Sequence, residues 1–247
     1  MQIYLKREKK FLISLPDNLK LKHMIWIIMI AVMIASYIIQ AVLKSKFSKY
    51  SEILNPGGLT GAEVAAQMLK AHGINNVKIT CVEGELTDHF NPQDMTVNLS
   101  REVYSQRSIA AAAVAAHECG HAVQHAVGYG PLKLRTALVP VVTFASKWVS
   151  WVLLAGVAFI QIFPNLIWFG ILLFAMTTLF SLITLPVEIN ASARAIQWLD
   201  SNRIAYGEAR EQAVDALKWA AYTYVIAAVS SLATLVYYIM IASSNRR

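Results

Sequence analysis

Charged side chains are scarce in this sequence: 15% of its 247 residues are Asp, Glu, Lys or Arg, against 56% that are hydrophobic. A water-soluble domain of this length would carry more charge over its core, and the mean hydropathy of +0.47 argues against one. Cysteine is scarcer still. Cys81 and Cys119 are the two present, with no Cys-x-x-Cys pair, which excludes a disulfide framework. Both are expected to be buried free thiols, in keeping with a reducing compartment on the catalytic side. The third scarcity is local: residues 119–187 contain neither Asp nor Glu.

What the chain does have is basic and apolar. The net charge of +7 and pI ≈ 9.4 suit nucleic acid or an anionic membrane surface. The cations flank apolar runs, with Lys20 and Lys22 before the first and Lys44, Lys46 and Lys49 after it. That placement selects the lipid bilayer as partner, and no nucleic acid. Met24–Leu43 is uncharged and, at 1.5 Å per residue, covers about 30 Å, the hydrocarbon thickness. It outruns the apolar core of a signal peptide and no small-x-small cleavage site follows, so residues 24–43 are predicted to be an uncleaved transmembrane helix. Residues 1–23 form a basic tail without helical periodicity, or the product of a start codon upstream of a true start at Met24.

Residues 44–137 change character and predict a small water-facing domain. Thr60-Gly61-Ala62-Glu63 reads as a capping box opening a helix that Gly73 can close. Val77–Val82 and Met95–Leu99 are predicted strands, joined by the turn-rich segment Gly84–Pro92. Ser108 is placed to cap an alanine-rich helix over residues 108–127, with Gly128 as its stop. Further transmembrane helices are predicted at 148–163, 165–187 and 219–242. Pro164-Asn165 separates the first two, and a polar helical segment over 188–218 contains a break at Gly207.

The chemistry concentrates in His117-Glu118-Cys119-Gly120-His121, which matches His-Glu-x-x-His. On a helix, residues four apart share a face, so both imidazoles can reach one tetrahedral Zn2+ while Glu118 acts on its water as general base. A catalytic zinc needs a third protein ligand. A histidine six residues beyond the motif is excluded, because Val127 stands there. With no acid in residues 119–187, the first candidate downstream is Glu188, where two membrane crossings return the chain to the face it left. An ionisable residue at a membrane boundary is a functional candidate by default, so Glu188 is the expected third ligand, with Asp88 and His89 as competitors. His125 continues the histidine stripe about 6 Å further along the axis, which suits a substrate-side or supporting role, or a solvated helix end. Asp88 and His89 otherwise orient a ligand or leaving group, or form a turn before Pro92. The expected fold is mainly α: a multi-pass helical membrane protein with a small α+β zincin-like catalytic domain.

Leu59–Val64, Leu86–Pro92 and Ser108–Gln124, together with Lys44–Ser51 and Leu185–Glu188, resemble the YugP-like membrane zinc metallopeptidases. The resemblance covers nearly everything from Met24 onward. The layout is also similar to the HtpX-like and CAAX prenyl proteases, where membrane spans separate His-Glu-x-x-His from a downstream glutamate ligand. The resemblance implies His117, His121 and Glu188 as zinc ligands and Glu118 as base. Family members often have Asp where this chain has Asn190, which bears on the support around the ligands, and the basic leader is unusual among them.

The expected activity is zinc-dependent hydrolysis of peptide bonds in proteins or peptides near the bilayer. Arg194, Tyr129 and Tyr224 are candidates to stabilise the oxyanion, and the Met95–Leu99 strand edge is a candidate substrate-binding surface. The competing reading is a non-enzymatic membrane adaptor with a closed structural zinc site completed by His89 or Asp88. Lys and Arg are nearly balanced across the bilayer. Starting at Met24 tips the balance towards a multi-pass protein of the cell membrane with a cytoplasmic catalytic face.

Overall fold

The computed structural model describes residues 17–244, so most of the basic tail lies outside the described residues. The chain runs α1 (Asp17–Ser51), α2 (Gly61–Ala71), β1 (Lys78–Val82), β2 (His89–Asn91), β3 (Thr96–Ser100), α3 (Arg101–Ser105), α4 (Ile109–Ala126), α5 (Gly130–Ala158), α6 (Pro164–Ser201) and α7 (Glu208–Ser244). Helix α1 from Met24, α5, α6 and α7 are each long and apolar enough to cross a membrane. The protein is therefore mainly α and multi-pass, with one small sheet.

The membrane helices extend well beyond the apolar runs that announce them. Helix α5 begins at Gly130, not Trp148, and runs unbroken through Pro140 and Lys147. Lys147 is exposed, so its ammonium can snorkel along its aliphatic stem, and a single proline does not end a long transmembrane helix. Helix α6 likewise continues past Pro186 into the polar segment that follows. It stops at Ser201, and Gly207 (φ 58°) marks the turn into α7.

Small residues bring α5 and α6 together as a hairpin: a Cβ on Gly156 would lie 2.7 Å from Ile167 Cα. The Thr178 and Ser231 hydroxyls, 2.7 Å apart, join α6 to α7. Asp215 ties α7 to α1 by accepting from Tyr50 Oη (2.6 Å) and Lys46 Nζ (2.7 Å).

Outside the apolar bundle, α4 forms the centre of the main core. Its alanines present little bulk, so α2 (Val64, Met68), the sheet (Val97, Leu99) and the far end of α6 (Trp198, Leu199) all close on it. The capping box is formed: Glu63 N donates to Thr60 Oγ1 (3.2 Å) and Thr60 N to Glu63 Oε2 (2.7 Å), which holds the Glu63 carboxyl below its usual pKa. Ser108 Oγ accepts from Ala111 N to cap α4 (3.1 Å). Buried Asn55 bonds the carbonyls of Leu59 (2.7 Å) and Arg107 (2.8 Å), fixing the chain after α1 against the start of α4.

The sheet order is β1-β3-β2, with β1 parallel and β2 antiparallel to β3. Two expectations are corrected here. The strand beginning near Met95 is the middle of the sheet, so its edges are already paired; the free edge beside the site belongs to β2. That strand is hidden in the turn-rich segment because three residues are too few to display alternation. Cys81 is exposed, since edge strand β1 turns it to solvent, while Cys119 is buried as expected.

Candidate metal centre

Helix α4 supplies His117, Glu118 and His121, and α6 supplies Glu188 from 71 residues further along the chain than His117. The two helices meet where Gly120 faces Ala191: a Cβ on Gly120 would lie 2.7 Å from the Ala191 carbonyl oxygen. Only glycine allows this approach, and Glu188 sits one helical turn from the contact.

Glu188 Oε2 lies 3.2 Å from His117 Nε2 and 3.4 Å from His121 Nε2, and one donor atom from each residue lies within 4.8 Å of the others. Among the described residues this is the group of His, Cys, Asp and Glu that could hold a metal ion. The two carboxylate–imidazole separations match a zinc site: ligands at about 2.0–2.1 Å around a tetrahedral ion stand roughly 3.3–3.4 Å apart. Glu188 and His121 are buried, and His117 is half-buried.

The opposite nitrogen of each imidazole is held. His117 Nδ1 is 3.1 Å from Ser192 Oγ and His121 Nδ1 is 3.0 Å from Gln124 Oε1. A hydrogen-bond chain fixes the second of these by polarity. Arg194 Nε, a donor only, donates to Asn190 Oδ1 (2.8 Å), and Gln124 Nε2 donates to that same oxygen (3.0 Å) and to Val187 O (2.8 Å). Gln124 therefore presents its carbonyl to His121, so Nδ1 carries the proton and Nε2 presents a lone pair to the centre. Burial lowers the His121 pKa, but its hydrogen bond to Glu188 and the nearby carboxylates raise it overall. Arg135 Nη1 lies 3.6 Å from Glu188 Oε1, the oxygen turned away from the histidines.

Glu118 accepts from Phe90 N on β2 through Oε2 (3.0 Å). Its neighbour Cys119 is inert: burial, then the Glu118 charge, push its thiol far above the usual range. Asp88 and His89 do not join the cluster. Asp88 accepts from Ser100 N (2.7 Å) and Ser100 Oγ, while His89 pairs with Thr87 O (2.7 Å) and Asn98 (3.2 Å).

Two clefts reach the centre. One of about 500 Å3 lies on the His121 side and is bordered by β2, His125 and Arg135. His125 is exposed there, stacked at a tilt 5.8 Å from Phe90. The second, about 210 Å3, lies on the His117 side. Tyr224, Glu118 and Glu188 line both, whereas Tyr129 and Arg194 line neither.

Residues 25–243 match the family described as "Putative neutral zinc metallopeptidase". The chain belongs to this zinc metallopeptidase family. It is also 43% identical over 217 residues, 88% of this chain and 96% of the relative, to "Putative membrane protease YugP" of Bacillus subtilis (strain 168). No solved structure matches it. For a zinc metallopeptidase of the membrane, the four apolar helices and the candidate His/His/Glu centre are the features on which activity would depend. Sequence reasoning passed over Gln124, Ser192, Arg135 and Phe90. The first two had a signal: Gln124 stands three residues after its partner His121, and Ser192 four after Glu188, each on the helix face that carries a predicted ligand. Arg135 and Phe90 reach the site through tertiary contacts alone.

Proposed function

We propose that this chain is a membrane-embedded zinc metalloendopeptidase that cuts peptide bonds in membrane-associated or nearby proteins. The carrying observation is the convergence of His117, His121 and Glu188 donor atoms beside Glu118, at a point reached by two clefts. Zn2+ held by these three would supply a bound water of pKa near 7 and polarise the scissile carbonyl. Glu118, with Oε2 held by the Phe90 amide, keeps Oε1 free to take the water's proton and return it to the leaving amine. Arg135 restrains Glu188 Oε1 and thereby turns Oε2 towards the histidines. Tyr224, which borders both clefts, is the best-sited of the oxyanion candidates, and β2 offers an edge for strand addition.

A closed structural zinc site would need a fourth protein ligand. Its two candidates, Asp88 and His89, are engaged by Ser100, Thr87 and Asn98, which favours the open, catalytic arrangement. With translation starting at Met24, the basic leader drops out of the balance, and Lys44, Lys46, Lys49, Lys133 and Arg135 flanking the spans assign the catalytic face to the cytoplasm. The deciding experiment is Glu118→Gln in the purified protein. Proteolysis should fall by roughly 10²–10⁴-fold with zinc still bound, and retained proteolysis refutes the reading.

A further inference from the structure

We propose that the 210 Å3 cleft is a specificity pocket, taking one bulky apolar side chain from the residue that follows the scissile bond, in a segment lying at the membrane surface. This rests on the hydrolytic reading above. The inner end of the cleft is formed by His117, Glu118 and Glu188, so whatever fills it abuts the reacting centre. Its walls are mainly apolar and come largely from the membrane helices, Leu43 and Phe47 of α1 and Leu217, Ala220 and Ala221 of α7, with Val114 of α4. Leu86 stands at the rim, 66% exposed, on a turn that holds it at φ 56°.

Size and polarity point to a side chain. A cavity of about 150 Å3 holds a benzene ring, so 210 Å3 admits a Leu, Met or Phe side chain. The 500 Å3 cleft is different, bordered by His89, Asn91, Gln93 and Arg135, and suits main chain and polar groups.

Direction follows from β2. Asp88, just before β2, borders both clefts, whereas the residues after it, Pro92 and Gln93, border the larger cleft alone. A substrate pairing antiparallel to β2, the commoner arrangement, enters from the larger cleft and leaves through the smaller one. The pocket then receives the residue on the C-terminal side of the cut. Depth follows from α1: the wall residues Leu43 and Phe47 stand where the uncharged run gives way to Lys44, Lys46 and Lys49, at headgroup level.

The test uses the full chain, loaded with zinc in phospholipid vesicles, and a peptide library whose cleavage sites are read by mass spectrometry. Leu, Ile, Met or Phe immediately after the cut should be favoured over Gly or Ala by roughly tenfold or more in kcat/KM. Ala221→Phe and Ala220→Leu each reduce the space, and each should lower that ratio about tenfold while zinc stays at one per chain. Cleavage with no apolar preference, a preference confined to the residue before the cut, or a ratio unchanged in both variants overturns the inference. So does an acyl chain photo-crosslinked in the pocket during turnover. Absence of cleavage by the zinc-loaded wild type overturns the hydrolytic reading along with it.

Discussion

Replacing Gly120 by Ala tests whether helix contact sets the metal geometry. In most helix interiors this change is favourable, by up to about 1 kcal/mol of intrinsic propensity. Here the new Cβ would start 2.7 Å from the Ala191 carbonyl oxygen and 3.2 Å from Ala191 Cα. An ordinary contact of about 3.4 Å requires α6 to retreat by roughly 0.7 Å. Zinc–ligand distances tolerate about 0.2 Å, and Glu188 rides on α6 one turn away, so the retreat takes the carboxylate out of range of an ion held by His117 and His121. Zinc affinity should fall tenfold to a hundredfold, about 1.4–2.8 kcal/mol. Ala191→Gly should not rescue it, since the contact is with backbone. Competition against a fluorescent chelator in detergent measures the affinity, and melting with and without excess zinc separates metal loss from unfolding. Affinity within twofold of wild type would refute the argument.

Gln124→Ala removes the group that fixes the His121 tautomer and should cost tenfold to a hundredfold in zinc affinity, read by the same competition. Zinc occupancy should be highest at alkaline pH and be lost on acidification through the raised His121 value, because a proton bound there competes for the same nitrogen. Equilibrium dialysis across pH measures this, and occupancy that does not fall with pH contradicts it. A maleimide should label exposed Cys81 alone in the folded protein and both cysteines after denaturation. With a membrane-impermeant maleimide on intact cells, Cys81 should stay unlabelled if the catalytic face is cytoplasmic.

The fold class and the three converging donors were legible because each rests on a strong local or compositional signal. The His117–His121 spacing needs only a helix, and Glu188 stood out because an acid-free stretch precedes it. Helix ends were less legible: α5 and α6 run on through Pro140, Lys147 and Pro186, where tertiary packing and the bilayer override local breakers. Strand β2 was hidden because its pairing partner, not its own three residues, makes it a strand. Arg135 and Phe90 carry no local pattern pointing to the site. Their roles exist only once α5 and β2 are laid beside α4.

The long separation between His117 and Glu188 has a consequence in time. At about 5–20 residues per second, the chain grows for roughly 4–14 s after His117 is made before Glu188 is added. The candidate ligand set then stays incomplete until α5 and most of α6, two helices long and apolar enough to cross a membrane, have been made. A nascent chain that stalls short of Glu188 has the histidines without the carboxylate. The architecture thus withholds a complete candidate metal site from every copy whose synthesis stops short of Glu188.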